Sequence, residues 1–378
     1  MRLMLRILRM QESAGRALHP VHPMNPTHRR PPLFMSNAVA TTLLATSILT
    51  ACAMPHAAPE QTPASATPVA VSPGHVVTGE LADASGARAW RLWVPAGHDR
   101  TKPAPLVVML HGCTQDPDDV ARGTRMDAQA DVLGVLVLYP MQPASANPKK
   151  CWNWYDPAHQ RRDAGEPASI AALTRQVQAE YGTDPANTSI AGISAGGAMA
   201  LITAAAYPDL YAAVGVHSAL PWGAAGNVME ALTAMSRGAE AVPAAAERMT
   251  GVALVQAMGD RAHALPAIVL HGADDKVVNA ANGEALVRQL ADAYVQLTPN
   301  ARYMAPTTDT LSEGGRQVTR TRAVAGNVEG WRIAGLGHAW SGGSSAGTFT
   351  DSAGPDATAI MLRFLLAHAH SVSPGGAR

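Results

Sequence analysis

Residues 188–206 read TSIAGISAGGAMALITAAA. An apolar run of strand length (188–193) meets the tight pentapeptide Gly192-Ile193-Ser194-Ala195-Gly196. A small-residue helix follows over 195–206 and stops before Pro208. A serine on a sharp strand-to-helix turn needs small neighbours, because strand and helix backbones almost touch there. Gly192, Gly196 and Gly197 meet that need. Such a turn lifts the Ser194 hydroxyl above the sheet edge. It also aims the Ala195 N–H, at a helix N-terminus, toward any negative charge that develops beside it. The same pattern arises as an ordinary glycine-rich turn with a capping serine, so its surroundings must carry the argument.

Upstream, PLVVML (105–110) and VLVLY (135–139) are uninterrupted apolar runs, the signature of strands buried on both faces. Helical spacing over 121–133 lies between them, giving strand, helix, strand, the unit of a parallel sheet. An antiparallel pair is expected at 76–77 and 89–94, around Ser85-Gly86. Downstream, helices are expected at 169–181, 282–294 and 356–369, and strands at 212–216 and 267–270. A strand pair is expected at 318–325 and 328–333 around Gly326-Asn327. Residues 221–266 break this rhythm and read as a helical insertion covering the site. The chain of 378 residues suits one large α/β domain, with a mostly parallel central sheet flanked by helices. Its 29 basic and 29 acidic side chains leave no excess charge pointing to nucleic acid.

Three further segments fall at strand ends. His111-Gly112-Cys113 follows the strand 105–110. Gly112 lets the backbone approach, and the Cys113 N–H is the natural second donor to an oxyanion, with Ala195 the first. His111 is expected to shape that loop. AIVLHGADDKVV (267–278) ends a buried strand in two carboxylates. Asp275 is the chosen acid and Asp274 the reserve; a solvated turn is the plain alternative. GLGHAW (335–340) follows the last strand pair and supplies His338. The order Ser194, Asp275, His338 is that of nucleophile, acid and base on sheets of this kind. His217 precedes the acid and reads as strand-end packing, and His263 is unassigned. Trp340, Trp222 and Trp154 are candidate pocket walls.

LHGCTQ (110–115), ARGTRMDAQADVLGVLVLYP (121–140), CWNWYD (151–156), GISAGGAMA (192–200), VHSALPWGAA (216–225), HGADDKVV and GHAW together resemble the poly(3-hydroxybutyrate) depolymerase family of esterases. Feruloyl and acetylxylan esterases share many of these motifs. The resemblance implies an α/β-hydrolase fold, the triad above, an ester substrate, and no cofactor or metal. The chain ends about ten residues beyond its last expected helix, where secreted depolymerases often carry a polymer-binding domain. The expectation is therefore soluble esters, short oligomers or feruloyl-type substrates. An acyltransferase on the same scaffold, or an inactive surface-binding lipoprotein, are the rival readings.

The remaining signals concern location. Residues 1–52 read as a leader, with Met24 a second possible start that leaves 1–23 outside the true chain. Arg29-Arg30 precede a short apolar run ending in Leu49-Thr50-Ala51-Cys52, which resembles a bacterial lipobox with Cys52 as the lipidated residue. An ordinary signal peptide is the alternative. Residues 53–74 read as a Pro/Ala/Thr tether, 75–370 as the catalytic domain and 371–378 as a disordered tail. Secretion, with a lipid anchor in a bacterial envelope, is the expected location. An oxidising compartment makes a Cys113–Cys151 disulfide the expected state of the other two cysteines, with two buried thiols as the alternative.

Overall fold

The computed structural model describes residues 73–83, 86–298 and 305–370. The leader, Cys52, nearly all of the tether and the tail lie outside these residues. The first described elements are β1 (His75–Asp83) and β2 (Gly86–Val94), followed by β3 (Ala104–Leu110). Helices α1 (Pro117–Thr124) and α2 (Met126–Leu133) lead to β4 (Leu136–Pro140). Next come α3 (Gly165–Tyr181), β5 (Thr183–Ile193), α4 (Ala195–Ala206) and β6 (Val214–His217). Short helices α5 (Val228–Arg237), α6 (Ala245–Arg248) and α7 (Gly251–Met258) precede β7 (Ala267–Gly272) and α8 (Ala281–Leu297). The chain continues through β8 (Thr307–Glu313), β9 (Arg316–Ala323), β10 (Val328–Ile333), the small pair β11 (Trp340–Ser341) and β12 (Thr350–Asp351), and α9 (Ala357–Ala367).

Ten strands form one sheet in the order β1-β2-β4-β3-β5-β6-β7-β10-β9-β8. The six central strands run parallel, and antiparallel hairpins close both edges. From β3 the chain first winds outward to β4 and then returns to place β5 on the opposite side. This reversal opens a crevice at the carboxyl ends of β3 and β5, the usual binding position in such sheets. Residues of β3 alternate between two cores. Leu106, Val108 and Leu110 pack with α3 and α4 on one face, while Val107 and Met109 pack with α1, α2 and α9 on the other. That double burial explains the unbroken apolar runs. All twelve residues of α4 are buried, so the helix lacks a polar face and is built largely of Ala and Gly.

Several expectations need correction. The single helix over 121–133 is two helices, split where Arg125 takes a left-handed conformation (φ 56°). The strand at 212–216 is β6, starting two residues later. Strand β8 was not foreseen, although Gly314-Gly315, both at positive φ, turn it into β9. The insertion 221–266 is helical as expected. Its helix α7 packs on α8 and α4.

Candidate active site

The elbow is built by backbone proximity. A Cβ on Gly192 would lie 2.4 Å from Gly196 C, and one on Gly196 would lie 2.3 Å from Leu110 O and 2.4 Å from His111 O. One on Gly197 would meet Ala219 Cβ at 2.8 Å. No side chain fits at these three positions, so α4 starts directly against the ends of β5 and β3. Ser194 itself sits at φ 57°, ψ −126°, a conformation costly for any residue with a Cβ. Its N–H donates to His217 O at 2.9 Å, which holds the turn.

The structure brings the three sequence-selected residues together from the carboxyl ends of β5, β7 and β10. Ser194 Oγ lies 3.0 Å from His338 Nε2, and His338 Nδ1 lies 2.7 Å from Asp275 Oδ2. Asp275 can only accept, so Nδ1–H of the imidazole donates to it, which leaves Nε2 to face the serine hydroxyl. Asp275 Oδ1 accepts from the Val277 and Val278 N–H groups at 2.9 and 2.8 Å. Burial opposes ionisation of this carboxyl. Hydrogen bonds from His271, His338 and the Val278 N–H, with the His338 charge, outweigh it and hold Asp275 well below the usual carboxylate range. Asp274, the reserve, makes none of these contacts: its N–H donates to Leu336 O at 3.0 Å.

His271 was missed as a site residue. It is buried in β7, its Nε2–H donates to Val278 O at 2.9 Å, and the same nitrogen is 3.5 Å from Asp275 Oδ2. It approaches the same carboxylate oxygen that His338 holds. Only the sequence spacing of four residues from Asp275 hinted at this.

The loop that follows β3 is equally fixed. His111 Nδ1–H donates to Gly112 O at 2.7 Å, and His111 Nε2 accepts from Gln142 N–H at 3.1 Å. The Gln115 N–H also donates to Gly112 O, at 3.3 Å. With that carbonyl held, the trans peptide sends the Cys113 N–H the opposite way. Among the described residues neither the Cys113 nor the Ala195 N–H donates to a protein acceptor. A Cβ on Gly112 would sit 3.5 Å from Ser194 Cβ, so the loop lies against the elbow. Burial pushes the His111 pKa down to about 4, which keeps it neutral in the role foreseen for it.

Cys113 and Cys151 form a disulfide, with Cα atoms 4.2 Å apart. The Thr114 N–H donates to Lys149 O, adding a second tie between the same loops. Beneath them runs a buried polar frame. Gln142 donates to Cys151 O and to Glu166, Asn153 donates to Glu166, and Arg88 donates to Gln142 and Ser169. The Trp152 indole donates to His111 O at 3.0 Å. None of this frame was foreseen, because its residues are scattered from 88 to 169.

The tryptophans divide. Trp340 is 1% exposed, stacks on His217 at 4.9 Å, and donates to Thr358 Oγ1. It packs beneath the His338 loop instead of walling an open pocket. Trp154 is likewise buried, edge-on to Tyr155. Trp222 is half-buried, tied by backbone to Gln289, and its indole N–H has no acceptor among the described residues. His217 is the packing residue expected, with burial first and the charges of His271 and His338 next pushing its pKa down to about 3. His263 packs its ring against His370.

A cavity of about 340 Å³ lies between α8 and β9–β10; none of Ser194, Asp275 or His338 lines it. Among the described residues no group of three or more His, Cys, Asp or Glu is arranged to hold a metal ion. No helix among them is long and apolar enough to cross a membrane.

Residues 88–308 match the family model described as Esterase PHB depolymerase, which is more than half of the chain. The chain belongs to the PHB depolymerase esterase family. The matched span holds Ser194 and Asp275 and ends before His338. Among curated relatives, poly(3-hydroxyalkanoate) depolymerase C of Paucimonas lemoignei is 31% identical over 247 residues, 65% of this chain and 56% of that protein. Feruloyl esterase B of Neurospora crassa is 35% identical over 119 residues, 31% of this chain and 39% of that protein. The chain thus spans about half or less of these relatives' length. A solved acetyl xylan esterase from Aspergillus awamori superposes with a TM-score of 0.57 at 21% identity, covering 69% of this chain and 94% of that one. That likeness bears on the α/β-hydrolase fold alone.

Proposed function

We propose that this family member is a serine esterase that hydrolyses carboxylic esters through an acyl-Ser194 intermediate. One observation carries the reading: the Ser194–His338–Asp275 relay, with both hydrogen bonds formed, lies beside the Cys113 and Ala195 N–H groups, which have no acceptor among the described residues. His338 Nε2 takes the serine proton as Oγ adds to the ester carbonyl. The carbonyl π pair moves to oxygen, where the Cys113 and Ala195 N–H groups receive it. Collapse expels the alcohol oxygen, which leaves with the proton from His338. Water then repeats the sequence on the acyl-serine, releasing the acid and restoring Ser194. Asp275 stays ionised throughout and stabilises the imidazolium.

The relatives' names suggest hydroxyalkanoate oligomers, feruloyl esters and acetylated xylan as substrate classes to test. Trp222 is the remaining candidate among the tryptophans for a pocket wall. The test is hydrolysis of p-nitrophenyl esters, feruloyl esters and hydroxybutyrate oligomers, with and without Ser194→Ala. Hydrolysis that persists in the variant contradicts the reading. We also place the enzyme outside the cytoplasm, lipid-anchored at Cys52. The Cys113–Cys151 disulfide, which needs an oxidising compartment, supports the first part. The lipobox-like Leu49-Thr50-Ala51-Cys52 supports the second. Wild type should partition with membranes and Cys52→Ser should not; equal soluble distribution of both would remove the anchor.

A further inference from the structure

Phe349 is one of three phenylalanines in the chain, and it spends free energy twice. Its backbone sits at φ 51°, in the left-handed region that disfavours aromatic residues. Its side chain is 44% exposed and fills no core. Strain of this kind persists only where the surroundings impose it, and here they do. The Trp340 N–H donates to Phe349 O at 2.7 Å. The Thr348 N–H donates to Asp119 Oδ1 at 3.1 Å, and Gln115 Nε2 donates to Thr348 O at 3.1 Å. Gly347 lies so close under α1 that a Cβ there would come within 2.5 Å of Asp119 O.

These anchors index the ring to both halves of the catalytic apparatus. Gln115, which holds Thr348, also accepts the Gly112 N–H at 2.9 Å through Oε1, so one side chain spaces Phe349 from the oxyanion loop. On the other side the Phe349 ring stands edge-on to the His338 imidazole, with centroids 6.1 Å apart and planes at 76°. In the tetrahedral intermediate the leaving oxygen must approach His338 Nε2, because that nitrogen returns the proton. The acyl chain departs from the same carbon away from the histidine. A ring beside His338 therefore borders the alcohol portion and leaves the acyl chain untouched.

We propose that Phe349 is a specificity-determining residue, the apolar wall that receives the alcohol portion of the ester and favours aryl, benzyl and alkyl alcohols over polar ones. This rests on the esterase reading above. The experiment compares kcat/KM for benzyl acetate and methyl acetate, which differ in alcohol, and for methyl hexanoate and methyl acetate, which differ in acyl group. Wild type should prefer the benzyl ester about tenfold, the scale of a lost apolar contact in a pocket. Phe349→Ala and Phe349→Gly (the latter suited to the positive φ) should each lose that preference, and Phe349→Tyr should keep it. The acyl ratio should move less than twofold in all variants. An unchanged alcohol ratio in the Ala and Gly variants, or an equal change in the acyl ratio, overturns the proposal. So does loss of folding in both, which would make Phe349 a scaffold residue. Wild type that cleaves methyl acetate without benzyl preference defeats this inference alone; wild type that cleaves none of the esters defeats the esterase reading with it.

Discussion

At the scale of single residues, the serine, acid and base were legible because each follows a strand-like run in a fixed order. Ser194→Ala and His338→Ala should each cut turnover on p-nitrophenyl acetate by a factor on the order of 10⁴ to 10⁶ with the fold intact. A variant keeping a tenth of wild-type turnover would remove that residue from the mechanism. The buried histidines give a pH prediction. Burial holds His111 near a pKa of about 4 and His217 near about 3, against 6.5 for a free histidine. Below pH about 6.5 the unfolded chain binds protons that the folded chain refuses, so stability falls as pH drops from there toward those values. Asp275 acts in the same sense but in a lower window: its depressed pKa gives stability that is fully present above the ordinary carboxylate range and is lost as pH falls through and below it. Urea unfolding at pH 5 should therefore take up about two protons from solvent, onto these histidines, and show a lower midpoint than at pH 7.5. A midpoint unchanged between the two would show that neither histidine is held neutral. Phe349 and His271 were not legible. Their parts depend on which distant side chains they face, which no local spacing encodes.

At the scale of elements, the glycines of the elbow were readable from sequence, but the reason for Gly196 was not. It is there because the carbonyls of Leu110, the last residue of β3, and of His111 just beyond it occupy the space of a Cβ. Gly196→Ala should destabilise by about 2 kcal/mol or more, since backbone and not a pliable side chain must yield. It should also lower turnover by parting the elbow from the oxyanion loop. Denaturant unfolding and p-nitrophenyl acetate kinetics check both, and a variant equal to wild type would contradict the packing. The disulfide bridges residues 38 apart in sequence, and its loss should cost about 4 kcal/mol in the chain-entropy model. The Cys113→Ala/Cys151→Ala variant should also turn over more slowly, because the Cys113 N–H loses part of its fixed placement. Lower stability with unchanged kcat would leave the bridge a staple without a catalytic part. The split of 121–133 into two helices was hidden from periodicity because Arg125, not Gly or Pro, takes the left-handed turn.

At the scale of the whole molecule, the parallel sheet was legible because strands buried on both faces leave unbroken apolar runs. Strand β8 sits at the edge with alternating exposure, and its polar sequence gave no such run. The crevice at the β3–β5 reversal is where all the site loops meet, and the account stands on Ser194 being the atom that carries the acyl group there. The most direct test is intact-protein and peptide mass spectrometry after reaction with a fluorophosphonate, which traps an activated serine. The account predicts one label per chain, on the peptide holding Ser194, with ester hydrolysis lost in proportion to labelling and no label in Ser194→Ala or His338→Ala. Hydrolysis that survives full labelling of Ser194, or a label on another residue that alone abolishes activity, would contradict it.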